Sequence, residues 1–162
     1  RYRRIARRGT GLRMWQELIS NPVFITAMLG WFLSGFLKVP IHYLVTKKWS
    51  WGLWFSPGGM PSSHSTLVTS TMLSTGLYAG FDSPIFGVAF TVMMIVVYDA
   101  AGVRRQAGFH ARKINKIIEE LFAGHPISED QLKEVLGHTP RQVVAGVVLG
   151  LIIALVVWLF WH

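Results

Sequence analysis

The sequence contains no cysteine, which excludes disulfide staples, thiolate metal sites and cysteine nucleophiles. No Cys/His metal spacing occurs, nor a glycine-rich nucleotide loop, an internal repeat or a low-complexity tract. No broken-helix pair or inverted repeat is visible, which argues against a small transporter. Acidic residues are scarce, 8 against 16 lysines and arginines, for a net charge of +8. The basic residues flank apolar segments instead of lining one soluble face. Anionic lipid headgroups or an anionic substrate account for them better than nucleic acid.

What is present points to a membrane. Hydrophobic residues make up 51% of the 162 positions, with 7 Trp and 10 Phe. That composition predicts a small integral membrane protein of one domain, all-α, built as a polytopic helical bundle. Four segments can cross a hydrocarbon layer of about 30 Å. They are 22–37 (interrupted at Lys38-Val39-Pro40 and continuing to 45), 65–81, 84–97 with Asp99 just beyond it, and 143–161. The link Gly80-Phe81-Asp82-Ser83-Pro84 makes the second and third a tight hairpin. Residues 1–21 form a basic amphipathic segment, and 22–162 the membrane domain, with a charged soluble insert at 104–141. Within that insert, 112–122 has helical periodicity, and Ser128-Glu-Asp-Gln131 reads as a capping box opening a short helix through Leu136.

The chain opens on Arg1 rather than Met, which points to a natural start upstream. Arg1, Arg3, Arg4, Arg7, Arg8 and Arg13 surround an apolar patch of Leu12, Met14, Trp15, Leu18 and Ile19. A membrane-surface helix explains this more simply than the remnant of a targeting peptide. Trp49, Trp51 and Trp54 read as an interfacial aromatic belt. Gly146-x-x-x-Gly150 and Gly76-x-x-x-Gly80 are suited to seat a partner helix, within the chain or in a dimer. Basic residues are divided between the two faces, so charge sets no orientation.

The chemistry concentrates at 58–65, Gly-Gly-Met-Pro-Ser-Ser-His-Ser, immediately before the second apolar segment. One serine is explained as a helix N-cap. The Gly-Gly-Met-Pro lead-in and the histidine are not, and polar groups at a bilayer edge mark function. A second constellation, Gly137-His138-Thr139-Pro140, opens the last segment. The connectivity requires the ends of the first and third segments and the starts of the second and fourth to share one face. Lys38, Lys47, Lys48, Ser62, Ser63, His64, Asp99, Arg104, Arg105 and His138 therefore converge there from distant positions. His42, His125 and His162 read as structural or surface residues.

Taken together, three strings resemble the type 2 phosphatidic acid phosphatase superfamily, in its divergent branch related to acid phosphatases and vanadium-dependent haloperoxidases. They are Gly-Gly-Met-Pro-Ser-Ser-His-Ser, Tyr98-Asp-Ala-Ala-Gly-Val-Arg-Arg-Gln-Ala-Gly108 and Leu136-Gly-His-Thr-Pro140. The resemblance covers roughly 20–160. It implies a phosphatase that hydrolyses a lipid phosphomonoester through a phosphohistidine, with no metal or other cofactor. It places the nucleophile on His138 and the general acid on His64. Ser62 and Ser63 would bind phosphate oxygens, Lys38 would be the first-motif cation, and Arg104 or Arg105 the third-motif arginine, with Lys47 and Lys48 nearby. Phosphoryl transfer needs such donors around the equatorial oxygens.

The expected substrates are phosphatidylglycerophosphate, phosphatidate or a polyprenyl phosphate. The expected partners are membrane lipids, with a homodimer or another membrane protein as protein partner. A bacterial inner membrane or an organellar membrane is the expected location.

Several features depart from the family pattern. The Lys-x6-Arg-Pro spacing is absent, and Ser63 stands where the second motif has Gly. Between Arg105 and His138 lie 32 residues where the family has about five. His110 has the family's spacing from Arg104 but lacks the Pro and the apolar run, and ranks below His138. Gln142 replaces the carboxylate expected four residues after the nucleophile. Asp99 is then the leading substitute for orienting His138, ahead of Glu134. Gln142 and the altered first motif also support an alternative from a different class, a noncatalytic membrane scaffold or assembly partner that keeps the fold.

Overall fold

The computed structural model describes residues 11–56, 58–121 and 138–161, without the side chains of Leu12, Arg104, Arg105 and Glu120. Among these residues the chain is all helical, with no strand. The elements are α1 (Gly11–Ile19), α2 (Pro22–Thr46), a 3-10 turn (Trp51–Trp54), α3 (Ser63–Ala79), α4 (Pro84–Ala101), α5 (Val103–Leu121) and α6 (Pro140–Trp161).

Helix starts follow local chemistry. The Asn21 side-chain oxygen accepts from the amides of Val23 and Phe24, at 3.0 and 3.1 Å. Ser83 accepts from Phe86 N–H at 3.3 Å. In both helices Pro follows the cap, where its missing N–H costs nothing. The α3–α4 hairpin turns on Gly80, at φ 92°, a conformation open to glycine but strained for other residues.

Lys38-Val39-Pro40 does not interrupt the first segment, since α2 runs straight through it for 25 residues. Pro40 removes one backbone donor, a loss helices in apolar surroundings tolerate when neighbours compensate. The insert helix is also longer than its periodicity suggested, running from Val103 to Leu121 and meeting α4 at Gly102. The proposed second insert helix at 128–136 lies outside the described residues.

Among the described residues three helices are long and apolar enough to cross a membrane: α2, α6 and the one that opens at Pro84. The second expected segment, α3, is different. It has only 17 residues, about 25 Å at 1.5 Å per residue, and it packs between α2, α4 and α6. Its hydroxyls are buried with it, including Ser65, Thr66, Ser70 and Ser74. Most are satisfied locally: Thr66 donates to the Ser62 carbonyl at 3.0 Å and Ser70 to that of Leu67 at 3.0 Å. Ser74 donates across to Thr26 Oγ1 at 3.3 Å.

Large apolar side chains such as Phe32, Ile85, Val92, Ile152 and Phe160 cover the outside. Polar inside and apolar outside is the pattern of a helical membrane bundle, where hydrophobic burial no longer drives packing. Small residues do instead. The α6 glycines seat α3 within the chain: a Cβ at Gly146 would lie 2.6 Å from the Ser62 carbonyl oxygen, and one at Gly150 would lie 2.8 Å from that of Thr66. Gly76, by contrast, receives the Phe81 ring folded back from the turn. On α1, Met14, Trp15, Leu18 and Ile19 are all exposed, as a helix lying on a membrane surface requires.

Candidate functional site

The site is built where α3 and α6 begin. Ser62 caps α3: its hydroxyl accepts from the Ser65 amide at 3.4 Å and the Ser65 hydroxyl at 3.0 Å. Its own amide donates to the Gln142 carbonyl at 3.1 Å, which ties the two helix starts together. Ser62 is fully buried, and its hydroxyl is committed to the cap. Of the two serines expected to bind phosphate, Ser63 is the one that lines a cavity.

That cavity has a volume of about 320 Å³ and is bounded by Lys38, Ser56, Ser63, His64 and the rings of Trp31, Trp54 and Phe55. Lys38 is 2% exposed, and its ammonium donates to the Ser56 carbonyl at 2.8 Å. Its one described polar contact is this carbonyl, and no described carboxylate is paired with it. A buried cation without a counter-ion is costly and invites an anion. The Ser63 hydroxyl is buried without a hydrogen-bond partner among the described residues. The first amides of α3 add donors and the positive end of its dipole. Gly59 sits at φ 88°, where any other residue would be strained, and it lies beside the Lys38 stem, with room for a Cβ 3.5 Å from Cδ.

His138 is 2% exposed, and its ring centroid is 6.4 Å from that of His64. Thr139-Pro140-Arg141-Gln142 forms a capping box. Gln142 N–H donates to Thr139 Oγ1 at 3.4 Å, and Thr139 N–H donates to Gln142 Oε1 at 3.0 Å. The same Oε1 lies 3.3 Å from His138 Nδ1. An atom that accepts from a backbone amide is the oxygen, so His138 Nδ1 carries the hydrogen and Nε2 the lone pair. Gln142 thus occupies the orienting position without supplying charge. The Thr-x-x-Gln signature was present in the sequence and would have identified this role.

Asp99 stands with His64 on the other side of α3. Together with Ile95, Val96 and Ala100 they line a second cavity of about 190 Å³ between α3 and α4. Lys47 and Lys48 are not brought to the site. Lys47 caps the far end of α2 with its ammonium 5.9 Å from the Tyr43 ring, and both lysines are exposed. Arg104 and Arg105 fall in the first turn of α5, and their side chains, like the whole of Glu134 and His125, lie outside the described residues. His110 is exposed on α5.

The aromatic wall was not anticipated. Trp49 and Trp51 are exposed and stack edge-on at 5.5 Å. Trp54 instead turns inward, edge-on to Phe32 at 4.9 Å and Phe36 at 5.8 Å. It sits on Gly35, where a Cβ would meet its ring at 2.7 Å.

The sequence pattern of the Divergent PAP2 family matches residues 19–153. The chain belongs to this family. It is also similar to an uncharacterized membrane protein of Bacillus subtilis (strain 168), YuiD, with 35% identity over 156 residues, 90% of this chain and 99% of that protein. No solved structure matches the chain. Family membership makes this a phosphatase-related membrane protein, and the matched span contains Lys38, the Ser-Ser-His turn, Asp99 and His138.

Proposed function

We propose that this divergent PAP2 protein is a multi-pass membrane phosphatase that hydrolyses a lipid phosphomonoester through a phosphohistidine on His138. The observation that carries this reading is the shared cavity of Lys38, Ser63 and His64, a buried cation and an unpartnered hydroxyl at a helix N-terminus, with His138 adjacent. Lys38, the Ser63 hydroxyl and the α3 amides hold the non-bridging phosphate oxygens, joined by Arg104 or Arg105. The Nε2 lone pair of His138 attacks phosphorus while the bond from phosphorus to the alcohol oxygen breaks. The electron pair of that bond stays on the oxygen, which takes a proton from His64, and the alcohol departs. Water then attacks the phosphohistidine, giving its proton to His64 and releasing inorganic phosphate. A site at the bundle's edge favours amphiphiles, whose tails stay in lipid. Phosphatidylglycerophosphate, phosphatidate and polyprenyl phosphates are the substrates to test.

The deciding experiment assays purified protein in detergent, with EDTA present, against that panel. Phosphate release is expected; silence across the panel overturns the reading in favour of a noncatalytic scaffold, which the uncharged Gln142 would suit. Vanadate is expected to inhibit turnover, because a pentacoordinate oxyanion resembles the transition state. An activity lost in EDTA and restored by Mg²⁺ would point to a different mechanism.

Gln142 offers a finer test. Gln142→Leu is expected to lower kcat by about tenfold or more, since the wrong tautomer of His138 buries the lone pair. It should also cost about 1 kcal/mol of stability through the broken cap. Gln142→Glu preserves both contacts and should retain turnover. Equal kcat in the two variants would show that orientation of His138 by this residue is unimportant.

A further inference from the structure

The two cavities meet at His64, which lines both. One has a cation, a hydroxyl and helix amides. The other offers Ile95, Val96 and Ala100, with Asp99 and His64 as its polar groups. If His64 protonates the leaving oxygen, the phosphate lies on the Lys38 side of its ring, and the rest of the substrate must extend past it. The space on the other side is the α3–α4 cavity. Its outer wall, α4, is the least buried of the three helices able to cross a membrane and makes little contact with α6. Ile95 is exposed, so this cavity opens sideways toward the apolar surroundings of the bundle and not only toward water.

We propose that the α3–α4 cavity is the leaving-group subsite, taking the hydrocarbon-bearing alcohol of a lipid phosphate that enters laterally from the bilayer. This rests on the reading of His64 as general acid. The occupant is a lipid chain because the lining apart from Asp99 and His64 is apolar, and His64 also borders the phosphate site. A soluble sugar or nucleoside alcohol would leave Ile95 and Val96 facing polar groups with nothing gained from burial. The aromatic cavity is the less suitable place for the tail, because the buried ammonium of Lys38 occupies it and would be left desolvated beside hydrocarbon. As the bond between phosphorus and oxygen breaks, the neutral alcohol is already on the bilayer side and departs into lipid, while phosphate departs toward water.

A non-hydrolysable long-chain alkylphosphonate carrying a diazirine on the third or fourth carbon tests this without turnover. The wild-type protein is irradiated with the probe in lipid nanodiscs, and labelled peptides are mapped by mass spectrometry. Labelling is expected at Ile95, Val96 and Ala100, and excess vanadate should reduce it at least fivefold. Labelling of Trp31, Trp54 or Phe55 in its place would overturn the assignment. So would α4 labelling that vanadate leaves unchanged, which is the behaviour of bulk lipid on an exposed helix.

A second measurement uses Val96→Trp, expected to lower the ratio of kcat/KM for a lipid phosphate to that for p-nitrophenyl phosphate at least tenfold. An unchanged ratio would also overturn the proposal. Turnover with labelling elsewhere removes the subsite and leaves the phosphatase reading intact. Vanadate-sensitive α4 labelling without turnover does the reverse.

Discussion

Substitution of His138 by alanine is expected to abolish phosphate release from every substrate, with the helical bundle still formed. The residue lies before α6 rather than inside it, and Thr139 can retain its cap. Its loss removes the proposed nucleophile: the Ser62 hydroxyl is engaged in the α3 cap, Lys38 donates to a carbonyl, and the Ser63 hydroxyl has no hydrogen-bonded base among the described residues to take its proton. His64→Ala should behave differently. Losing a general acid costs about 10²- to 10⁴-fold, but only where the leaving group needs a proton. A lipid alkoxide needs one, whereas p-nitrophenolate, a far weaker base, hardly does. His64→Ala should therefore be severely impaired on lipid phosphates and mildly on p-nitrophenyl phosphate, while His138→Ala fails on both. Acid-labile, base-stable phosphate on the protein after a rapid quench should be present in wild type and absent from His138→Ala. Phosphate release by the His138 variant at a wild-type rate would refute the assignment of the nucleophile.

The largest effect on folding is expected at the α3–α6 seam. A Cβ at Gly150 would stand 2.8 Å from the Thr66 carbonyl oxygen, 2.9 Å from Thr69 Cβ and 3.0 Å from the Ser70 amide nitrogen. At Gly146 it would stand 2.6 Å from the Ser62 oxygen and 3.0 Å from Ser65 Cβ. The obstructing atoms are backbone and Cβ atoms, which no rotamer change can move, so the helices must separate. Overpacking of this kind costs about 1–3 kcal/mol per site, occasionally more, against a total stability of about 5–15 kcal/mol. Gly146→Leu with Gly150→Leu should thus leave little monodisperse protein in detergent. Gly87, where nothing lies within 4 Å of an added Cβ, provides the control. Gly87→Ala should match or exceed wild type, since alanine favours a helix over glycine by about 1 kcal/mol. Elution of the double variant as a sharp wild-type-like peak would mean that α3 and α6 do not approach this closely.

The same seam links stability to the site. Ser62 both accepts from α3 and donates to the Gln142 carbonyl, so forcing the helices apart would separate His64 from His138. Milder substitutions there, such as Gly146→Ala, should lower activity before they unfold the protein.

The sequence by itself determined the helices and the membrane face on which the motifs gather. Long apolar runs can satisfy their backbone only as helices in lipid, and successive spans must alternate in direction, which fixes which ends share a face. The Ser-Ser-His turn, the His-Thr-Pro start and Lys38 could therefore be assigned to one face with no coordinates at all. The capping box around Gln142 was equally legible, being a local pattern of four residues.

Only the tertiary structure decided how each helix is rotated about its axis, and so which of several similar residues face the site. Ser63 lines the cavity and Ser62 does not; Lys38 is buried there, while Lys47 lies about 14 Å farther along the helix at 1.5 Å per residue. Trp54 turns inward and Trp49 outward. Within α3 no apolar stripe gives a facing, because hydroxyls occur on all sides. Its facing is set instead by Gly30, Gly146 and Gly150 on two other helices. Close approach at a glycine depends on both partners at once, and a period read along one segment carries no trace of it.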